Sequence, residues 1–140
     1  MTIMAKLIRM LLGTKPRVLV VNNSKSSRSL MSIILTDKGY CVDAVESADI
    51  ARVMVQAKGY DLIVIDYGLE EGRVHEIVES VVDGRNSDAQ IIMYTGTPVN
   101  EVAERLNGLR WRVNEIVHKT ADNPLSDIVE RVMQRNVAVN

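Results

Sequence analysis

A short apolar run that ends in a carboxylate constrains the fold of this chain more than any other stretch. Residues 62–65 are all apolar, with no polar alternation, and Asp66 follows them. Such a run predicts a strand that is buried on both faces, as in a parallel sheet. Asp66 then lies where the buried strand opens into a loop, so its carboxylate is held rigidly but still meets solvent. It can bind a cation, act as a nucleophile, or simply close the strand as a turn residue.

The same kind of strand recurs along the chain, and each one is followed by a helical pattern. The predicted strands cover residues 17–21, 40–45, 61–66, 90–94 and 112–118. The predicted helices begin at Ser26 or Ser27, at Ser47, near Arg73, near Pro98 and at Pro124. Five alternating units predict an α/β fold with a parallel sheet and helices on both faces, because parallel neighbours need crossover connections. Binding sites in such sheets lie outside the carboxyl ends of the strands.

Helical spacing also predicts which side chains face the core. The first two helices of the alternating pattern are expected to bury Leu30, Met31, Ile34, Leu35, Ile50, Val53, Met54 and Ala57. The single cysteine, Cys41, lies in the second predicted strand, where we expect a small buried side chain. A lone cysteine cannot form an internal disulfide, which fits a reducing compartment.

Length and charge restrict the function further. The 140 residues fit one domain, which we place at 15–136, with a short tail at 137–140. The chain has 17 basic and 18 acidic residues, so no overall basic field favours nucleic acid as a partner. Proteins are the expected partners. The sequence has no apolar run of about 18 residues that could span a membrane, and we expect a cytoplasmic protein.

Residues 1–14 form an N-terminal extension with a helical pattern. Apolar residues recur in two neighbouring rows, one from Ile3 to Leu11 and one from Met4 to Leu12, and Gly13 is expected to end the helix. The extension could dock a partner, mediate oligomerisation, or fold back over its own domain. Membrane contact through residues 1–12 is a less favoured alternative.

Polar residues follow four of the predicted strands, and together they carry a resemblance. Asn22 and Asn23 follow the first strand, Asp66 ends the third, Thr95 follows the fourth and Lys119 follows the fifth. In this order and at these strand ends, they resemble the receiver domains of two-component response regulators over residues 15–136. The resemblance implies a flavodoxin-like fold with strand order 2-1-3-4-5.

The resemblance also implies roles for these residues. Asp66 matches the aspartate that accepts a phosphoryl group from a histidine kinase or a phosphotransfer protein. Thr95 matches the hydroxyl that then bonds the phosphoryl group, and Lys119 matches the ammonium group that pairs with it. Magnesium would be held by Asp66, by the residues that end the first strand, Asn22 and Asn23, and by the backbone carbonyl of Gly68.

Several residues depart from the pattern of that family. Asn22 and Asn23 stand where the family has two acidic residues that hold Mg²⁺, and an amide oxygen brings no formal charge to a metal. We therefore expect weak Mg²⁺ binding, or none, and weak phosphorylation. Thr120 also replaces the proline that usually follows the lysine, and Ile116 replaces the usual aromatic switch residue.

The expected function is that of a stand-alone receiver domain in phosphorelay signalling. Its output would pass by protein contact through the fourth helix, fifth strand and fifth helix of the alternating pattern, with a homodimer also open. Trp111, which precedes the fifth strand, either contacts partners or covers the sheet edge. Because Asp66 is the one predicted acid of the pocket, we expect Lys119 to pair with it directly when no metal is bound.

Two alternatives stay open. The first is a pseudo-receiver that binds partners without phosphorylation. The second, from another class, is a small Mg²⁺-dependent phosphatase with Asp66 as its nucleophile. Such enzymes commonly need a second acid two residues further on, where this chain has Gly68. We therefore expect no enzymatic activity beyond self-phosphorylation from a phosphodonor.

Overall fold

Five parallel strands form one sheet at the centre of the protein. The computed structural model describes residues 3–66, 68, 73–120 and 124–138. The strands are β1 Arg17–Val21, β2 Cys41–Val45, β3 Leu62–Asp66, β4 Gln90–Thr95 and β5 Glu115–His118. Their spatial order is β2-β1-β3-β4-β5, so the predicted flavodoxin-like order is confirmed.

Helices connect the strands. They are α1 Ile3–Leu11, α2 Lys25–Asp37, α3 Ala48–Ala57, α4 Arg73–Val82, α5 Val99–Leu106 and α6 Leu125–Ala138, with a 3₁₀ helix at Asn107–Arg112 between α5 and β5. α1 is the helix predicted in the N-terminal extension, so α5 and α6 are the fourth and fifth helices of the alternating pattern. α6 extends two residues into the predicted tail.

The sheet separates two apolar layers, and β3 contributes to both. Ile63 and Ile65 pack in the layer that α3, α4 and α5 cover. Leu62 and Val64 pack in the opposite layer, under α2 and α6. All four side chains are fully buried, which confirms the strand predicted from the unbroken apolar run. The strand therefore holds Asp66 at a fixed place on the carboxyl edge of the sheet.

A serine cap was predicted for two of the helices, and one of these predictions was correct. Ser47 caps α3, where its hydroxyl accepts a hydrogen bond from the backbone N–H of Ile50 at 3.2 Å. The cap of α2 is Ser24 rather than Ser26 or Ser27, because the Ser24 hydroxyl accepts the N–H of Ser27. The helix thus begins one residue before the earlier of the two predicted caps, which brings its first turn close to the end of β1.

The predicted inner faces of α2 and α3 were partly wrong. Leu30 is 58% exposed, and Ile50, Val53 and Ala57 are also exposed. α2 buries Met31 and Leu35, with Ile34 half-buried, whereas α3 buries two of its three alanines and Val55, with Met54 half-buried. Alanine has no bulk beyond Cβ, so a helix that turns this side to a sheet can approach closely and leaves its larger residues outside. The buried residues of α3 are Ala48, Ala51 and Val55.

The prediction of a buried Cys41 was wrong. Its thiol is free and exposed, because Cys41 begins β2, the edge strand of the sheet. An edge strand has one neighbour and is less covered than a central strand. Asp43 interrupts the apolar residues of β2, but periodicity alone does not show where in the sheet such a strand lies.

The start of the fifth strand also differs from the prediction. β5 begins at Glu115, and Arg112 ends the 3₁₀ helix instead. The buried guanidinium of Arg112 donates hydrogen bonds to the carbonyls of Ser87 at 3.0 Å and Ala89 at 2.6 Å. Burial lowers the pKa of Arg112 from its ordinary value, and the charge of Asp88 opposes that shift. This side chain fastens the 3₁₀ helix to the segment that precedes β4.

Candidate functional site

The carboxylate of Asp66 and the ammonium group of Lys119 form an ion pair at the carboxyl edge of the sheet. Lys119 Nζ donates to Asp66 Oδ2 at 2.9 Å. The Asp66 side chain is 8% exposed and that of Lys119 is 34% exposed, so the pair is shielded mainly on the carboxylate side. The direct contact expected from the sequence is therefore present. It neutralises a nearly buried carboxylate with a side chain of the same chain.

Two contacts hold Lys119 in place. Its backbone N–H donates to the carbonyl of Thr95 at 2.7 Å, which continues the pairing of β4 with β5 past the end of the strand. Its Nζ lies 5.6 Å from the centroid of the Tyr94 ring, within the range of a cation–π interaction. The ammonium group thus lies between an aromatic ring and a carboxylate. Burial, followed by the charge of Asp66, raises the pKa of the Tyr94 hydroxyl.

Thr95 is fully buried at the end of β4, in the register position next to the Asp66–Tyr94 pair. Its hydroxyl oxygen accepts a hydrogen bond from the N–H of Thr97 at 2.8 Å. The side chain therefore closes a turn in this structure. To bond a group held on Asp66, the hydroxyl would have to exchange this contact for a new one.

Asn22 lies directly after β1 and is fully buried. Its Oδ1 accepts the N–H of Ser24 at 2.8 Å, and its Nδ2 lies 3.4 Å from the sulfur of Met31. Its own backbone carbonyl accepts a bond from Arg28 Nη1 at 3.0 Å. The amide oxygen that was predicted to face a metal is thus already used in a local turn.

Asn23 and Gly68, the two remaining residues predicted to hold Mg²⁺, have different surroundings. Asn23 is exposed. Gly68 contacts Asp66 through its backbone N–H, which donates to Oδ1 at 2.9 Å. A Cβ at position 68 would lie 3.2 Å from that same oxygen, closer than comfortable packing allows. Glycine avoids this close contact at position 68, and both oxygens of the carboxylate have a donor.

The donor set of this pocket does not fit a tight magnesium site. Mg²⁺ prefers carboxylate oxygens in octahedral geometry. Here it would meet one carboxylate that already pairs with an ammonium group, and two neutral amides. Among the residues described by the structure, no group of three or more His, Cys, Asp or Glu side chains could hold a metal ion. Mg²⁺ bound to Asp66 would compete with the ammonium group of Lys119 for the charge of this carboxylate.

Sequence reasoning missed three residues that shape the pocket. Tyr94 faces the ammonium group of Lys119, Met31 lies beside the Asn22 amide, and Arg28 binds the Asn22 carbonyl. Tyr94 could have been noticed, because its ring precedes the predicted hydroxyl residue on the same strand. Met31 and Arg28 carry no such signal, since their contacts depend on how α2 packs against β1.

The other residue that the sequence singled out lies away from the pocket. Trp111 belongs to the 3₁₀ helix between α5 and β5 and is 71% exposed. It does not cover the sheet edge, so that alternative is wrong. Its indole lies on the surface close to the elements that were predicted to contact partners.

Comparison with known proteins identifies the family of this chain. The sequence matches the response regulator receiver domain family over residues 18–132. It is also 23% identical, over 128 residues, to the photosynthetic apparatus regulatory protein RegA of Rhodobacter capsulatus. That match covers 91% of this chain and 67% of RegA.

Solved structures share the fold. The chemotaxis response regulator CheY4 of Vibrio cholerae superposes with a TM-score of 0.72 at 22% identity, covering 88% of this chain and 99% of CheY4. The response regulator TrrA of Thermotoga maritima, solved with Mg²⁺ and BeF, gives a TM-score of 0.69 at 24% identity, covering 85% of this chain and 97% of TrrA. With the strand order, the positions of Asp66, Thr95 and Lys119, and the family match, this chain belongs to the response regulator receiver domains of two-component signalling.

Proposed function

We propose that this receiver domain signals by protein–protein contact and that Asp66 accepts a phosphoryl group weakly. The observation that carries the proposal is the 2.9 Å pair between Lys119 Nζ and Asp66 Oδ2. An ammonium group beside the carboxylate can offset the charge that gathers on a transferring phosphoryl group. The two amides after β1 add no charge to the pocket, and for this reason we expect the reaction to be slow.

The residues of the pocket define what the reaction requires. An oxygen of Asp66 would attack phosphorus, and the bond between phosphorus and the donor would break. Both oxygens of Asp66 hold a hydrogen bond in the resting structure, one from Lys119 and one from the N–H of Gly68. Thr95 holds the N–H of Thr97. Each Asp66 oxygen keeps a further lone pair for attack, but the two donors withdraw charge from the carboxylate, which makes it a weaker nucleophile.

Partners follow from the same proposal. A histidine kinase or a phosphotransfer protein would supply the phosphoryl group. The face formed by α5, β5 and α6 would contact a downstream protein or a second copy of the chain. The exposed indole of Trp111 lies next to this face and suits such a contact, since tryptophan is enriched at the centre of protein interfaces. The expected cytoplasmic location stays a prediction from the sequence.

A pseudo-receiver that is never phosphorylated is the second candidate, and one observation favours it. Asn22 Oδ1 accepts the N–H of Ser24, so one of its two lone pairs is already used and a metal would have to share this oxygen. In that case the resting pair of Lys119 and Asp66 would itself set the partner-binding face, and phosphate would add little.

The deciding experiment is intact mass measurement after incubation with acetyl phosphate and Mg²⁺. The native chain should gain one phosphoryl group slowly, and Asp66→Asn should gain none. A double variant with Asn22→Asp and Asn23→Asp should gain it faster. If the native chain stays unmodified while the double variant reacts, the hypothesis of a pseudo-receiver is correct. Equal gain by Asp66→Asn would remove Asp66 as the acceptor.

A binding experiment separates the two candidates at the level of output. Self-association of the native chain would be compared with that of Asp66→Ala, of Lys119→Ala, and of the native chain with beryllofluoride and Mg²⁺. A phosphate-driven receiver responds mainly to beryllofluoride. A pseudo-receiver responds mainly to the loss of either side chain.

The phosphatase alternative has less support from the pocket. Gly68 holds the position where a second acid is commonly needed, and its N–H already bonds Asp66. We therefore propose that the chain has no enzymatic activity beyond its own phosphorylation. Turnover of small phosphoesters, abolished by Asp66→Asn, would contradict this.

A further inference from the structure

Helix α1 exposes most of its apolar residues. Met4, Leu7, Ile8, Leu11 and Leu12 are between 40% and 86% exposed, and Ile3 is half-buried. α1 contacts α6, yet each of the five side chains stays at least 40% exposed. Folding back onto the domain therefore does not account for the apolar residues of the extension. Exposed apolar side chains that cluster in this way indicate an interaction surface.

The five exposed side chains lie on one side of the helix. At 100° per residue, their positions fall within an arc of roughly 140°. Leu12 belongs to the same arrangement, because its N–H still donates to the carbonyl of Ile8 at 2.9 Å beyond the last helical residue. α1 thus presents one continuous apolar face that ends at Gly13, whose positive φ of 72° turns the chain away.

Charge is distributed very unevenly along the sequence. Residues 1–36 contain six basic residues and no acidic residue, whereas residues 37–140 contain 11 basic and 18 acidic residues. The near-zero net charge of the whole chain conceals this difference. The six basic residues are Lys6, Arg9, Lys15, Arg17, Lys25 and Arg28.

From the apolar face of α1 and the basic block that contains it, we propose that this helix binds the surface of an anionic lipid bilayer. A short amphipathic helix with basic residues and no acidic residue lies in the plane of the interface and inserts its apolar face. Anionic headgroups attract each nearby basic residue. No helix among the residues that the structure describes is long and apolar enough to cross a bilayer. The proposed contact is therefore peripheral and reversible.

Charge argues against a second copy of α1 as the occupant of this face. A second α1 helix would bring two more basic residues and no acid, whereas anionic headgroups offer the charge opposite to that of Lys6 and Arg9. α6, the neighbour of α1, carries the exposed acids Asp127 and Glu130, so we assign the attraction to the two basic residues of α1, Lys6 and Arg9.

The test is sedimentation of the full chain with phosphatidylcholine vesicles, with and without phosphatidylglycerol. The native chain should pellet with the anionic vesicles and release as salt rises. A double variant with Lys6→Gln and Arg9→Gln should bind the anionic vesicles roughly 30-fold more weakly, if each basic residue contributes the binding free energy that is typical near an anionic membrane. Asp66→Asn should bind like the native chain, because the contact does not involve the pocket.

Matched variants of exposed apolar residues distinguish membrane binding through α1 from non-specific hydrophobic binding. Ile8→Glu with Leu11→Glu removes two exposed side chains of α1 and should abolish pelleting. Ile50→Glu with Val53→Glu makes the same change on exposed positions of α3, in the opposite layer, and should leave it intact. Equal loss of vesicle binding in the two pairs of variants would overturn the proposal. A native chain that does not bind the vesicles, or that binds them equally well without phosphatidylglycerol, would overturn it as well. So would self-association without lipid that the α1 variants abolish.

Discussion

The two sides of the pocket differ in charge. On the side of β3, β4 and β5, Asp66 and Lys119 form an ion pair beside the buried hydroxyl of Thr95. On the side of β1, Asn22 is buried in a neutral network with Ser24 and Met31, and Asn23 is exposed. The first side carries the groups that we propose to hold a phosphoryl group. The second offers a metal no formal charge, so we expect the two tasks to be separable in this fold.

Adding negative charge on the β1 side of the pocket should have the largest effect, which is a gain in affinity for Mg²⁺. We expect Asn22→Asp with Asn23→Asp to tighten Mg²⁺ binding by about 30-fold, because each carboxylate adds roughly a quarter of a unit-charge interaction of about 4 kcal/mol. Isothermal titration calorimetry with MgCl₂ measures this directly. Asn100→Asp with Asn107→Asp adds the same charge at exposed positions and is the control.

The same double variant should be less stable than the native chain when no metal is bound. Three carboxylates would then cluster at one edge of the sheet, and like charges disfavour the folded state. Urea unfolding in EDTA tests this expectation. If the native chain bound Mg²⁺ as tightly as the double variant, the difference in charge between the two sides of the pocket would not affect Mg²⁺ binding.

Removing the ion pair between Lys119 and Asp66 is expected to change the free energy by a smaller amount. Lys119→Met leaves the nearly buried Asp66 carboxylate without its cation and should lower the free energy of unfolding by about 1 kcal/mol, since Lys119 is partly exposed. Lys58→Met removes a lysine from the more exposed pair with Asp43 and should cost less. Urea denaturation of both variants gives the comparison. A larger loss at Lys58 would show that burial does not set the strength of these pairs.

The Tyr94 ring should contribute a smaller amount on the same side. Tyr94→Leu removes the aromatic face beneath Lys119, and a cation–π interaction of this kind is worth about 0.5–1 kcal/mol. Tyr94→Phe keeps the ring and should retain that interaction. A double-mutant cycle with Lys119→Met isolates it from packing losses. A coupling near zero would mean that the ring only fills space.

An acid outside the pocket should have the smallest effect. Burial raises the pKa of Asp43, but hydrogen bonds from Tyr60 and Lys58 outweigh it and hold the pKa below its ordinary value. Its stabilising contribution is therefore present above the pKa of the unfolded chain and is lost as pH falls through the lower folded value. Asp43→Asn should reduce acid-induced loss of stability by at most about 0.5 kcal/mol, measured by urea unfolding across pH.

The sequence was sufficient to predict the sheet and the charged side of the pocket. An unbroken apolar run such as residues 62–65 can be buried on both faces only in a central strand, and parallel strands bring Asp66 and Lys119 to the same edge. What could not be predicted depends on packing between elements. Periodicity does not show that α3 turns two of its alanines inward, that Cys41 lies on an edge strand, or that Met31 contacts the Asn22 amide.

The bonds from Arg112 to the carbonyls of Ser87 and Ala89 have a consequence for the residue beside it. They anchor the backbone of the 3₁₀ helix, so Trp111 is an exposed indole on a fixed support. A partner that docks against it would lose little conformational entropy in ordering that backbone, and rigid aromatic anchors are effective for this reason. The rate at which such a complex forms would then depend on the partner's own flexibility rather than on that of this surface.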